Sequence, residues 1–254
     1  MIDVHCHMEH MPAEEVIAEA RKKMTAIITS VADPKEAEKI LQLSEKHRDF
    51  LYVSLGFHPH CVKDYSDEQI NEYMEFIRAN QNRIVAIGEV GLDYSEEYDD
   101  RMKKVFSQFI ELAKELTLPL VVHTRNGIEN TNAFSDVLDI LEKQNAENVV
   151  LHCFSGSDGN LKKALSRDYW ISFATIICKT KKHPRLVSET PLEKMLLETD
   201  APWLDPFSNE RKNRPWNIIE SAKIIADIKG VSVEEVLAAT TRNAKKAFSI
   251  PNKR

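Results

Sequence analysis

Apolar residues are laid along this chain in two alternating patterns. Short runs rich in Ile, Val and Leu give way to longer segments in which apolar positions return every three or four residues among Glu, Lys and Ala. The first pattern predicts strands, the second helices with one buried face. Eight strands are predicted, at Ile2 to His5, Thr25 to Val31, Leu51 to Leu55, Ile84 to Ile87, Leu120 to His123, Val149 to His152, Trp170 to Phe173 and Met195 to Glu198. Helices are predicted between them, as at Lys35 to His47, Glu68 to Ala79, Arg101 to Leu116 and Ser135 to Lys143. Strand and helix alternating from end to end is the signature of parallel βα units. Eight such units in about 250 residues point to an α/β fold, a single TIM (β/α)8 barrel.

The segment from Trp216 to Phe248 predicts two extra C-terminal helices, broken at Gly230 and restarted by a capping box of Ser232 and Glu235. They would close the barrel wall. A doubly wound sheet is the rival architecture, but it would carry a Gly-rich nucleotide turn after an early strand, and none is present. No Pro/Gly/Ser-rich linker interrupts the pattern, so residues 1–254 are expected to form one domain.

Composition narrows the class further. With 43% hydrophobic residues the chain can bury a large core, and no apolar stretch approaches the length of a membrane span. The strand at Ile2 leaves no room for an export signal, and Cys6, Cys61, Cys153 and Cys178 lack the paired spacing of a zinc clip. Reduced thiols in a cytoplasmic protein are expected. The 34 Lys and Arg face 40 Asp and Glu, a formal charge of −6, so nucleic acid would not be held by bulk charge. Of 7 glycines, Gly56, Gly88, Gly91, Gly127, Gly156 and Gly159 fall at or just past the C-terminal ends of strands three to six. Barrel active sites lie at that end, where glycine lets backbone turn or approach a ligand.

Ligand-type side chains gather at the same end. His5 and His7 are two apart on a strand, so both imidazoles share a face and Cys6 points away. Glu89, His123, His152 and Asp200 each follow an apolar strand, and in a barrel such positions converge on one rim. Leaving them buried and unpaired would cost roughly 2–7 kcal/mol each. Four imidazoles and two carboxylates suffice for two divalent metal ions bridged by a carboxylate or hydroxide. Mixed N/O ligation suits Zn, Mn, Co or Fe over Ca, and Mg only where waters complete the shell. Asp200, on the last strand, is the expected base for an attacking water.

The ordered motifs IDVHCH, GFHPH, GEVGLDY, HTR, HCFSGS, ETDAPWL and TTRNAKKAF, running from residue 2 to about 248, resemble the TatD-type deoxyribonucleases of the amidohydrolase-like metal hydrolases. The resemblance implies a binuclear centre with His5, His7 and Asp200 on one metal, His123 and His152 on the other, and Glu89 bridging. It also implies that His58 and Glu198 lie beside the metals and help bind or protonate the scissile group. Two departures bear on substrate preference. The chain reads Asn126-Gly127-Ile128-Glu129-Asn130-Thr131-Asn132 after HTR, where the family shows a small acidic helix start. It reads Asn213-Arg214-Pro215 where the family tends to Arg-Asn-Glu-Pro.

Between Lys162 and Arg185 the basic residues Lys162, Lys163, Arg167, Lys179, Lys181, Lys182 and Arg185 meet only one acid in sequence, Asp168. Those past strand seven, with Arg125 and with Arg211, Lys212 and Arg214 past strand eight, would face phosphate on the active-site rim. Phe57, Trp203 and Phe207 are candidates for stacking on bases. Non-sequence-specific DNA, cleaved by an exonuclease-type phosphodiester hydrolysis, is the substrate that the resemblance implies and that such a rim would suit, with no membrane and no obligate protein partner expected. The alternative is a metal-dependent amidohydrolase or deacylase acting on a small molecule or aminoacyl ester, because the same chemistry attacks carbonyl carbon. A structural or sensory metal protein would rely on thiolates in a closed site, which this pattern lacks.

Overall fold

A computed structural model describes residues 1–95, 100–127 and 132–251. Eight strands lie in one parallel sheet in chain order: β1 (Ile2–Cys6), β2 (Ala26–Val31), β3 (Leu51–Leu55), β4 (Ala86–Asp93), β5 (Leu120–Arg125), β6 (Val149–Leu151), β7 (Trp170–Phe173) and β8 (Met195–Leu197). The seam between last and first strand is closed by backbone bonds just past β8: Asp200 N donates to His5 O at 2.9 Å and His7 N to Ala201 O at 2.8 Å. Asp3, fully buried, accepts from the backbone N and the hydroxyl of Thr199, at 3.0 and 2.5 Å, across the same seam.

Helices α1 (Ala13–Ala20), α2 (Ala37–Lys46), α3 (Asp67–Ala79), α4 (Arg101–Leu116), α5 (Ala133–Lys143), α6 (Asp158–Ser166) and α7 (His183–Glu189) follow the first seven strands. α8 (Ile218–Lys229) and α9 (Val233–Ala247) complete the wall, divided at Gly230 with φ 66°. The Ser232–Glu235 capping box forms as the sequence predicts. None of the helices in the described residues is long and apolar enough to cross a membrane.

Two apolar layers result. Ile2, Val4, Ile28, Val121, Val150 and Leu196 fill the barrel interior, and Ala244, Ala247, Phe248 and Ile250 at the end of α9 plug its lower mouth. A larger layer lies between strands and helices, with Phe57, Phe106, Phe109 and Phe154 fully buried. Hydrophobic side chains fill the lower interior, so polar side chains are left to the upper rim.

The main departure from the predicted elements is β4. The sequence predicts a strand ending at Ile87, whereas β4 continues to Asp93 and pairs with β5 as far as Arg125, after a register shift between Ile87 and Val90. Gly88 and Gly91, expected just past the strand's end, lie within β4 and serve close approach of backbone. A Cβ on Gly91 would sit 2.0 Å from His123 O, and one on Gly56 2.4 Å from Gly88 C. Removing those methyl positions lets β3, β4 and β5 draw together and brings Glu89 over the barrel axis.

Candidate metal centre

The six proposed ligands come from five strands, at or near their C-terminal ends. His5 lies within β1 and His7 just past it, Glu89 lies within β4, His123 within β5, and His152 and Asp200 lie just past β6 and β8. They share a cleft of about 520 Å³ whose lining includes His7, His58, Glu89, His123, His152 and Asp200. Glu89, 3% exposed, stands at the centre. Its Oε2 is 3.3 Å from His5 Nε2 and 3.8 Å from His7 Nε2; its Oε1 is 2.6 Å from His123 Nδ1, 2.9 Å from His152 Nε2 and 3.6 Å from His58 Nε2. Asp200 Oδ1 completes the first side at 3.2 Å from His7 Nε2 and 3.8 Å from His5 Nε2.

The donor atoms fit divalent metals. His5 Nε2 and His7 Nε2 face each other at 3.2 Å, and His152 Nε2 faces His123 Nδ1 at 3.4 Å. Two imidazole nitrogens bound tetrahedrally to one ion at zinc-like bond lengths would stand about 3.3 Å apart. Three sets of three ligand atoms, His5/His7/Asp200, His5/Glu89/His152 and His58/Glu89/His123, each lie within 4.8 Å of one another. Glu89 offers one oxygen to each side, the disposition of a bridging carboxylate.

Electrostatics agree with a centre built for positive charge. Burial works to raise Glu89, but His152, His58, His5 and His123 more than offset it and hold its carboxyl well below the usual range. Asp200 is likewise held down by His7, against burial. Burial lowers the basicity of His7 and His152, yet Asp200 and Glu9 beside the one, and Glu89 and Glu198 beside the other, push both well above the ordinary value. His58 is the exception: burial outweighs Glu89 and drives it down to about 3. Its Nδ1 accepts from His60 N at 3.2 Å, so the neutral ring carries its proton on Nε2, facing the cleft.

Carboxylates stand behind three of the four imidazoles. Asp93 Oδ2 lies 2.8 Å from His123 Nε2 and 3.0 Å from His60 Nε2, while its Oδ1 accepts from Ser95 N and Oγ. Glu9 Oε1 lies 3.4 Å from His7 Nδ1. Glu198 Oε1 lies 3.2 Å from His152 Nδ1 and accepts from Cys153 N at 2.6 Å; its Oε2 accepts from Ser172 Oγ at 2.5 Å. Glu198 therefore sits behind His152, with both oxygens occupied, instead of in the open cleft. Such partners fix ring orientation and tautomer. Among the described residues His5 Nδ1 is buried with no hydrogen-bond partner, and the ring is held by packing, stacked on His152 with ring centroids 4.0 Å apart. Cys153 and Asp200 adopt the left-handed region, φ 44° and 57°, a strain of about 1–3 kcal/mol each for residues other than glycine. The bonds Cys153 N to Glu198 and Asp200 N to His5 O hold them there.

Asp93, Glu9 and His60 escaped sequence reasoning. Asp93 follows Glu89 by four positions on one strand and Glu9 follows His7 by two; that spacing was a signal, though only the fold names their partners. Around the rim, Arg125 lines the cleft and is exposed, and Lys182 Nζ reaches Ser155 O, also on the lining. Lys181 is exposed in the same loop, outside the cleft lining. Part of the basic stretch is neutralised by acids from neighbouring elements: Lys163 by Asp139 and Glu142, Arg167 by Glu142, and Arg185 by Asp158 and Glu189. Phe57 is not available for stacking, since it is buried against Tyr65, Tyr73 and Phe109. Of the two divergent loops, Ile128 to Thr131 lie outside the described residues. In the other, Asn213 is fully buried and donates to Thr175 Oγ1 and Thr199 O, while Arg214 turns back onto Lys212 O and Asn213 O.

A parallel barrel with histidines and carboxylates converging at the C-terminal ends of its strands is the construction of a metal-dependent hydrolase. Residues 2–249 match the family model described as TatD related DNase, and the chain belongs to that family. It is 35% identical to the human deoxyribonuclease TATDN3, over 98% of this chain and 94% of that one. Against YabD, an uncharacterized metal-dependent hydrolase of Bacillus subtilis, identity is 33% over 98% of this chain and 99% of the other. Among solved structures, the TatD homologue YJJV of Escherichia coli superposes with a TM-score of 0.88 at 24% identity, covering 99% and 98% of the two chains, a likeness of fold.

Proposed function

We propose that residues 1–254 act as one metal-dependent phosphodiesterase that removes nucleotides from DNA ends without sequence preference. The observation that carries this reading is Glu89, whose two oxygens divide the histidines into two sets, each with imidazole nitrogens spaced for a shared cation. In this reading His5, His7 and Asp200 would hold one divalent ion and His123 and His152 the other, with Glu89 available to both. Four imidazoles favour Zn, Mn or Co over Mg. Bound there, the ions would supply Lewis acidity to the phosphoryl oxygens and lower the pKa of a water.

The chain's own groups do the rest. Asp200 remains ionised and lines the cleft, so its carboxylate is the acceptor for the proton of the attacking water. His58, neutral with Nε2–H toward the cleft, donates a hydrogen bond to the scissile group. Glu198 acts through His152 as a positioning residue. Arg125 and Lys182 receive the phosphate backbone, with Lys181 adding charge to the same loop. Relatives named deoxyribonucleases support DNA as the substrate class. Four free cysteines fit a reducing, cytoplasmic setting.

Metal-loaded protein should release mononucleotides from oligonucleotides blocked at one end and not from those blocked at the other. Asp200→Asn should lower kcat by about 100-fold or more while the oligonucleotide is still bound. No cleavage of single-stranded or duplex oligonucleotides with any of Zn, Mn, Mg or Co would sink the reading.

A further inference from the structure

The loop after β8 combines two features that the metal centre does not use. Trp203 is half-buried on the cleft lining, edge-on to His7 with centroids 4.9 Å apart and to His10 at 5.0 Å, and the Arg211 guanidinium lies 5.6 Å over its ring. Four residues on, Phe207 is 73% exposed, the one large apolar side chain left so among the described residues. The backbone carrying both is held firmly. Trp203 N donates to Asp200 O at 2.9 Å, buried Asp205 accepts from Phe207 N and Ser208 N at 2.8 and 2.9 Å, and Asn213 N donates to Pro202 O at 3.1 Å. An apolar ring held out in water on an ordered loop gains nothing for the fold.

Resting on the phosphodiesterase reading, we propose that Trp203 is the stacking surface for the base of the nucleotide being removed, and that Phe207 takes the neighbouring base. Chemistry and placement fit this occupant. The indole touches a proposed metal ligand, so a base lying on it belongs to a nucleotide whose phosphate is at the centre. Arg211 is an exposed cation over the ring, able to turn to that nucleotide's phosphate. Aromatic faces accept every base alike, which accords with hydrolysis without sequence preference. A base stacked on protein has left its duplex, so the preferred substrate is a DNA end that is single-stranded or frayed.

The test compares kcat/KM for a single-stranded oligonucleotide with that for the same oligonucleotide abasic at its terminal position. In the metal-loaded wild type the intact end should be favoured by about 5- to 150-fold, the factor that one base–aromatic stack corresponds to. Trp203→Ala should collapse that ratio towards one, Trp203→Phe should keep most of it, and Phe207→Ala should halve or further reduce it when the penultimate base is present. Metal content measured on each variant separates a damaged His7 from a lost stack. A wild-type ratio near one, or a ratio unchanged in Trp203→Ala, overturns the proposal. If the wild type cleaves neither oligonucleotide, the phosphodiesterase reading itself fails. Tryptophan fluorescence then judges the stacking surface alone: the intact oligonucleotide should quench wild type and not Trp203→Phe, and equal behaviour of the two overturns it. The other two tryptophans stand elsewhere, Trp170 beside Lys194 and Lys246 and Trp216 under Lys23.

Discussion

Asp93 is buried with one oxygen given to His123 and His60 and the other to Ser95, so its charge serves the ring rather than the solvent. Asp93→Asn preserves shape but can present an N–H to the imidazole, favouring the tautomer that turns a proton toward Glu89. Metal affinity should drop by about 10- to 100-fold, read by titration calorimetry or by metal retained after dialysis; an unchanged affinity would show that packing alone orients His123. Protonation adds a second expectation. His7, His123 and His152 are raised above the ordinary histidine value in the metal-free protein, each by its carboxylates against burial. Their stabilising contribution is complete below about pH 6.5 and is lost as pH climbs through the raised values. A metal needs the same nitrogens deprotonated. Metal-free protein should therefore lose thermal stability from about pH 6 to 8 on this account, while the Tm gain on adding metal grows; calorimetry at both pH values checks the pair of slopes. Among the proposed ligands, Glu89, His123, His152 and Asp200 were legible because each follows a run of apolar residues that had no reason to carry a polar one, and His5 and His7 because their spacing puts them on one face of a strand. Asp93 and Glu9 were not, because a supporting carboxylate is defined by what it faces, and His123 is 30 residues from Asp93.

At the scale of the element, strand and helix positions followed from periodicity to within a few residues, except along β4. There Gly88 and Gly91, which the sequence places just past the strand's end, lie within it, and in a tightly packed barrel the missing side chain admits a neighbouring backbone. Gly91→Ala should thus be far more costly than a loop glycine substitution, because its Cβ falls on His123 O and its φ of 149° already disfavours a side chain. We expect a loss of at least about 3 kcal/mol in urea unfolding together with a fall in bound metal. Ala at Gly159, which meets nothing nearer than 3.7 Å, is the control and should change neither. α9 was predicted as wall, and it also supplies the floor, since Phe248 and Ile250 close the lower mouth; nothing in a helical repeat says which open end of a barrel the following residues will cover.

For the whole molecule, a chain of formal charge −6 must attract phosphate through a few cations grouped on one rim. Neighbouring acids neutralise part of the basic run that the sequence shows, so on the proposed reading the attraction falls to Arg125, Lys182 and Arg211. With about three phosphate contacts, kcat/KM on single-stranded DNA should fall roughly 20-fold between 50 and 200 mM salt. Hydrolysis of a small uncharged ester should respond little. If the two substrates show equal, weak salt dependence, the rim is not a nucleic-acid surface and the small-molecule alternative gains.

The seam between β1 and β8 also has a consequence in time. His5 and His7 leave the ribosome well before Asp200 and the backbone that ties to His5 O, which lie just past the last strand of the barrel. A nascent or prematurely terminated chain therefore holds scattered imidazoles and no assembled centre. On the proposed reading the ligand set is complete only when synthesis has passed the final strand, so a half-made copy should be inert towards the nucleic acids around it.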